Sequence, residues 1–153
     1  MRKRVICVRT CLVREASVLY ESENGKRSIT SPEEAAKFAA SFFEGSDKEM
    51  IYVCTLNGNN EPVTMELVAK GSVNWCKADI SQIYKTAIIS NAASIICFHN
   101  HPSGCIEPSG VDKLITEKME TAGRYLDIPL RDHIIIGENG NFYSFRRDGT
   151  ELE

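Results

Sequence analysis

The chain has 153 residues, of which 42% are hydrophobic, enough to bury one core and short of the length at which cores divide, so a single globular unit is expected. A formal net charge of -3 gives no basic footprint for a phosphate backbone, which argues against direct DNA binding by this chain. No apolar run approaches the roughly 20 residues of a membrane helix, and the start MRKRVICVRT lacks the apolar stretch of a signal peptide, so no membrane association and a cytoplasmic location are expected.

Taken in order, apolar Val5, Ile6, Val8, Leu12 and Val13 predict a strand that continues over 17–21 toward the turn signal Asn24-Gly25, a front hairpin. Ser31 before Pro32, with Glu34 at the third helical position, reads as a capping box with proline at N1. The apolar stripe Ala35, Phe38, Ala39, Phe42 then runs to Gly45. Residues 51–56 and 62–70 read as antiparallel strands about the reversal Asn57-Gly58-Asn59-Asn60. From Asp79, a possible N-cap, Ile80, Ile83, Tyr84, Ala87 and Ile88 recur at helical spacing until Asn91. A short apolar strand over 94–98 delivers His99. After a proline and glycine loop, a helix opens at Ser109 with Val111, Leu114, Ile115, Met119 and Ala122 on one face, and it must end before Pro129. Two last strands, 132–136 and 142–146, flank the hairpin signal Glu138-Asn139-Gly140-Asn141. Six cysteines, Cys7, Cys11, Cys54, Cys76, Cys97 and Cys105, contain no C-x-x-C pair and read as reduced thiols, mostly in the core.

Two of the three histidines, His99 and His101, sit where a buried strand runs out into a loop. In extended backbone, residues two apart project to one side, so both imidazoles can converge on one ion. Asp112, in the first turn of the helix leaving that loop, can turn its carboxylate back toward the strand end. Two imidazoles and one carboxylate leave a fourth tetrahedral position for water, the arrangement of a catalytic zinc (Zn2+) site. Such a site brings the pKa of bound water to about 7. Ser109-x-x-Asp112 is equally an ordinary N-terminal capping box, and the two roles can coexist.

The run His99-Asn100-His101-Pro102, six further residues, then Ser109-Gly110-Val111-Asp112 resembles the JAMM motif of the JAB/MPN metalloproteases. HNHPSG with DHIIIG downstream resembles the RadC branch, and the likeness runs from about Ser31 to Phe145 in motif order. The resemblance implies a three-layer α/β/α fold with a mixed, twisted sheet of the cytidine-deaminase-like, JAB/MPN type. It divides the chain into an N-terminal strand or hairpin extension, 1–30, and a metal-binding domain, 31–147. It also implies Glu49 as the general base that takes a proton from the zinc-bound water and Ser109 as a helper at the oxyanion. Glu66 is the rival carboxylate. His133, paired with Asp132, either orients a ligand or is simply structural, and the structural reading is preferred. Cys105 stands at a position that holds no ligand in the family and reads as a bystander. Asn100 replaces the serine or threonine of deubiquitinating members, which tells against ubiquitin chemistry. Without the helix-hairpin-helix region of full-length RadC proteins, the chain is similar to short versions on mobile elements.

Two functions follow as expectations. The first is a zinc metallopeptidase or isopeptidase cutting an amide bond in a peptide or protein substrate. The second is a metal-stabilised binding module with a protein partner in a DNA repair or mobile-element complex. A nucleobase deaminase is disfavoured because the H-x-E and P-C-x-x-C pattern is absent.

Overall fold

The computed structural model describes residues 5–19, 25, 27–71 and 79–149. Its elements are α1 (Pro32–Ala40), β1 (Met50–Leu56), β2 (Pro62–Lys70), α2 (Ile80–Ile89), β3 (Ser94–Asn100), α3 (Gly110–Leu126), β4 (Leu130–Ile136), β5 (Phe142–Ser144) and the single turn α4 (Phe145–Asp148). The strands form one mixed sheet in the order β2-β1-β3-β4-β5, in which β3 and β4 run parallel and every other neighbouring pair antiparallel.

Strand side chains alternate between faces, and the two faces hold different cores. Met50, Cys54, Leu56, Ile96, Phe98, Ile134 and Ile136 pack with Ala35, Ala36 and Ala39 of α1 and with Phe43. Ile51, Val53, Ile95 and Cys97 pack on the other face with Ile83, Tyr84 and Ala87 of α2 and Ile115 and Met119 of α3. This is the α/β/α layering expected, a five-strand mixed sheet flanked by helices in the manner of the JAB/MPN type.

The turn chemistry explains the connections. Asn139 and Gly140 take φ of 55° and 79° between β4 and β5, the left-handed pair that a tight hairpin requires. Asn57 folds its own reversal, its Oδ1 accepting from the amides of Asn59 and Glu61. At the C-terminus of α3 the chain closes so tightly that a Cβ on Gly123 would lie 2.7 Å from both the Ile128 carbonyl and the Tyr84 hydroxyl.

Three expectations need correction. Residues 5–19 contain neither strand nor helix, and Val5, Ile6, Val8 and Val13 are more than three-quarters exposed. Apolar alternation makes a strand only against a paired, packed neighbour, and this segment has none among the described residues; the rest of that predicted hairpin, from Tyr20 to Asn24, lies outside them. The helix predicted to run toward Gly45 ends at Ala40, with turns over 41–45 and Gly45 at φ 67°. The final strand stops at Ser144, because buried Asp132 accepts from the Ser144 hydroxyl at 2.6 Å and the Arg146 amide at 3.1 Å and draws the chain into α4.

Of the cysteines, Cys54 and Cys97 are buried in the sheet, whereas Cys7, Cys11 and Cys105 are exposed, all as free thiols. Cys76 lies outside the described residues. Burial pushes the Cys54 thiol up to about 12, which keeps it protonated and inert.

Candidate metal centre

The site forms where β1, β3 and α3 meet. In the β1–β3 pairing Ile51 lies opposite His99, so the same antiparallel register carries Glu49, one residue before β1, to the level of His101, one residue past β3. Asn100 locks this crossing: its Oδ1 accepts from the Met50 amide at 2.8 Å and its Nδ2 donates to the Lys48 carbonyl at 3.1 Å. Both peptide groups flanking Glu49 are held by one side chain, a role that sequence comparison of a motif position does not disclose.

Asp112 enters from α3. Ser109 and Asp112 form a complete capping box: the Ser109 hydroxyl accepts from the Asp112 amide at 3.2 Å and Asp112 Oδ2 accepts from the Ser109 amide at 2.7 Å. The same carboxylate faces both imidazoles, with Oδ1 3.3 Å from His99 Nε2 and Oδ2 3.3 Å from His101 Nε2. Those two nitrogens lie 3.0 Å apart. One donor atom each from Glu49, His99, His101 and Asp112 falls within 4.8 Å of the others, with His99 and Asp112 buried.

His101 Nδ1 lies 2.7 Å from the Cys105 carbonyl. A carbonyl only accepts, so Nδ1 carries the hydrogen and the Nε2 lone pair turns inward. Cys105 therefore serves the site through its backbone, while its thiol is exposed and outside the cluster. Burial works to raise the Asp112 carboxyl, yet its contacts with His101, His99 and Ser109 outweigh it and hold the group well below the usual carboxylate range. The Asp112 contact holds His101 above the ordinary histidine value against burial, and the Cys105 carbonyl and Glu49 add to the rise. Burial pushes the Glu49 carboxyl up, and the Asp112 charge adds to it while His101 opposes. Burial pushes the His99 imidazole down, Asp112 opposes it, and the neighbouring His101 adds to the fall. Imidazole lone pairs and an ionised carboxylate aimed at one point fit a cation in their midst, and this cluster can bind a metal ion.

Of the other candidates, Glu66 falls away from the cluster and His133 lies behind it, against His99. Glu66 lies on β2, where its carboxylate accepts from the Thr86 hydroxyl and ties β2 to α2. His133 is fully buried beside His99 and stacks on Phe145 at 4.8 Å with the rings 5° from parallel. A cleft of about 490 Å³ opens next to His101, walled by Phe43, Glu44, Pro102, Glu138 and Asn139 among others. No helix among the described residues is long and apolar enough to cross a membrane.

The sheet order, the two helical layers and the His-His-Asp-Glu cluster at the end of β3 define a JAB/MPN-type α/β domain with a candidate metal centre. A family model described as the RadC-like JAB domain matches residues 29–150, and the chain belongs to that family. Similar curated proteins include the UPF0758 proteins of Pelodictyon phaeoclathratiforme, 37% identical over 131 residues, and Chlorobium chlorochromatii, 35% identical over 131 residues. Each alignment covers 86% of this chain and 59% of the relative, so the chain spans less than two-thirds of the length of these relatives.

Proposed function

We propose that the protein is a zinc-dependent hydrolase of the JAMM type that cleaves an amide bond in a peptide or protein, with His99, His101 and Asp112 as metal ligands, Glu49 as general base and Ser109 as oxyanion donor. The observation that carries this reading is the convergence of Glu49 with the two histidines and Asp112 within 4.8 Å, although Glu49 is fifty residues away in sequence from His99. A zinc ion at this point supplies Lewis-acid polarisation of the scissile carbonyl and a water acidic enough to ionise near neutral pH.

The protein's own groups do the rest. Glu49, raised toward neutrality by burial, is suited to accept a proton from water and return it to the leaving amine. Asn100 fixes the backbone on both sides of it, so the carboxylate is positioned before substrate arrives. Ser109, whose hydroxyl oxygen accepts in the cap beside Asp112, is the group assigned to the oxygen that develops charge in the transition state. The cleft beside His101 supplies room for a chain on one side of the reacting carbonyl.

Metal content by mass spectrometry on the wild type, His99→Ala and Glu49→Gln tests the assignment, followed by peptide-library turnover. Near-stoichiometric zinc is expected in the wild type and Glu49→Gln and not in His99→Ala, with turnover in the wild type only. Zinc without turnover in the wild type would favour a metal-stabilised binding module, and full zinc retention by His99→Ala would overturn the ligand assignment.

A further inference from the structure

His133 and Thr116 lie behind the metal cluster, both buried with 0% and 2% exposure, and neither is used by the mechanism above. They join His99 to the backbone of α3 through three consecutive hydrogen bonds. The Thr116 hydroxyl contacts the Asp112 carbonyl at 2.7 Å; the same oxygen lies 2.7 Å from His133 Nδ1; and His133 Nε2 lies 2.8 Å from His99 Nδ1.

The direction of every bond follows from counting hydrogens. A carbonyl cannot donate, so the single hydrogen of the Thr116 hydroxyl goes to Asp112. Thr116 then has only lone pairs to offer His133, and His133 Nδ1 must be the donor. A fully buried imidazole keeps one hydrogen, because a second would place a charge in the core. His133 Nε2 is therefore an acceptor, and the hydrogen between the two rings belongs to His99 Nδ1. What remains on His99 is the Nε2 lone pair, on the side that faces Asp112 and His101.

We propose that Thr116 and His133 are positioning residues that fix the tautomer of His99, holding its Nε2 lone pair toward the metal. This proposal rests on the metal-centre reading. His101 reaches the same tautomer through a loop carbonyl, whereas His99 reaches it through side chains from α3 and β4, so the helix that supplies Asp112 also sets the protonation of the ligand opposite. The stack of Phe145 on His133 holds the ring in the plane that this chain of bonds requires.

The test combines a tautomer measurement with zinc affinity. Long-range nitrogen–proton correlation spectra of the wild-type protein should show His133 as the Nδ1–H form, and an Nε2–H form would overturn the proposal. Zinc affinity, measured by competition with a chromophoric chelator, should fall about 10- to 100-fold in Thr116→Val and in His133→Phe, which keeps an aromatic ring for the stack but removes the acceptor. Thr116→Ser should restore affinity to near the wild-type value, a rescue that a purely space-filling role for Thr116 does not predict. If His133→Phe fails to fold, the near-isosteric Thr116→Val carries the comparison. Unchanged affinity in folded Thr116→Val, with a wild type that binds zinc, would overturn the relay and leave the metal centre standing. A wild type that takes up no zinc would overturn both.

Discussion

The chain opens two helices with the same pattern, serine followed three residues later by an acid, and puts the two to different use. At α1 the Ser31 hydroxyl accepts from the Glu34 amide at 3.2 Å, and the Glu34 carboxylate reaches past the cap to the amide and hydroxyl of Thr30 at 2.7 and 2.8 Å. At α3 the shorter Asp112 stops at the Ser109 amide, and both its oxygens face imidazoles. One methylene and the neighbouring strand make the difference. A glutamate at the edge of α1 closes a loop, whereas an aspartate pressed against the end of β3, with 1% exposure, closes the helix and presents charge to two histidines.

The largest expected effect separates those roles. Asp112→Asn keeps an oxygen for the Ser109 amide and loses the charge. Zinc affinity should fall at least about 100-fold, while the melting temperature stays within about 2 °C of metal-free wild type, measured by calorimetry with and without a chelator. Glu34→Gln, the matching change at α1, should leave zinc content unaltered.

Acid should act on the α3 site through the histidines. Proton and metal compete for His101 Nε2, and the proton is held there more firmly than in an ordinary histidine, whose value is 6.5. Zinc affinity should therefore be independent of pH above that raised value and weaken progressively as pH falls below it. Competition with a chromophoric chelator across a pH series checks the direction, and an affinity that does not weaken on acidification would contradict it.

A smaller effect belongs to α1. Ser31→Ala removes the hydroxyl that accepts from Glu34 and should cost about 1 kcal/mol, seen as a fall of about 2–4 °C in melting temperature with zinc stoichiometry intact. Smallest of all is Cys105→Ser. His101 uses the carbonyl of residue 105 and not its thiol, so zinc affinity should match wild type within twofold; a tenfold loss would bring the sulfur back into the site.

Much of this was open to reading from the sequence because the signals are local. Helical spacing with caps located α1, α2 and α3, and asparagine and glycine at left-handed positions located both hairpin turns. The alternation at residues 5–13 misled for the opposite reason: a strand is defined by its neighbour, and none pairs with it among the described residues. Strand β5 was overextended because the residue that ends it, Asp132 on β4, lies 12 positions before Ser144 and 14 before Arg146.

The sequence by itself determined the order of elements from α1 to β5, the pairing of His99 with His101 on one side of a strand end, and the cap that brings Asp112 to them, since each depends on residues within one or two turns of backbone. Only the tertiary structure put Glu49 beside the two histidines and Glu66 against Thr86, gave Asn100 its grip on both peptide groups flanking Glu49, and set His133 between Thr116 and His99. Those contacts join residues 17 to 52 positions apart. They exist because sheet register and helix packing bring buried polar atoms together, and each buried polar atom must then find its partner.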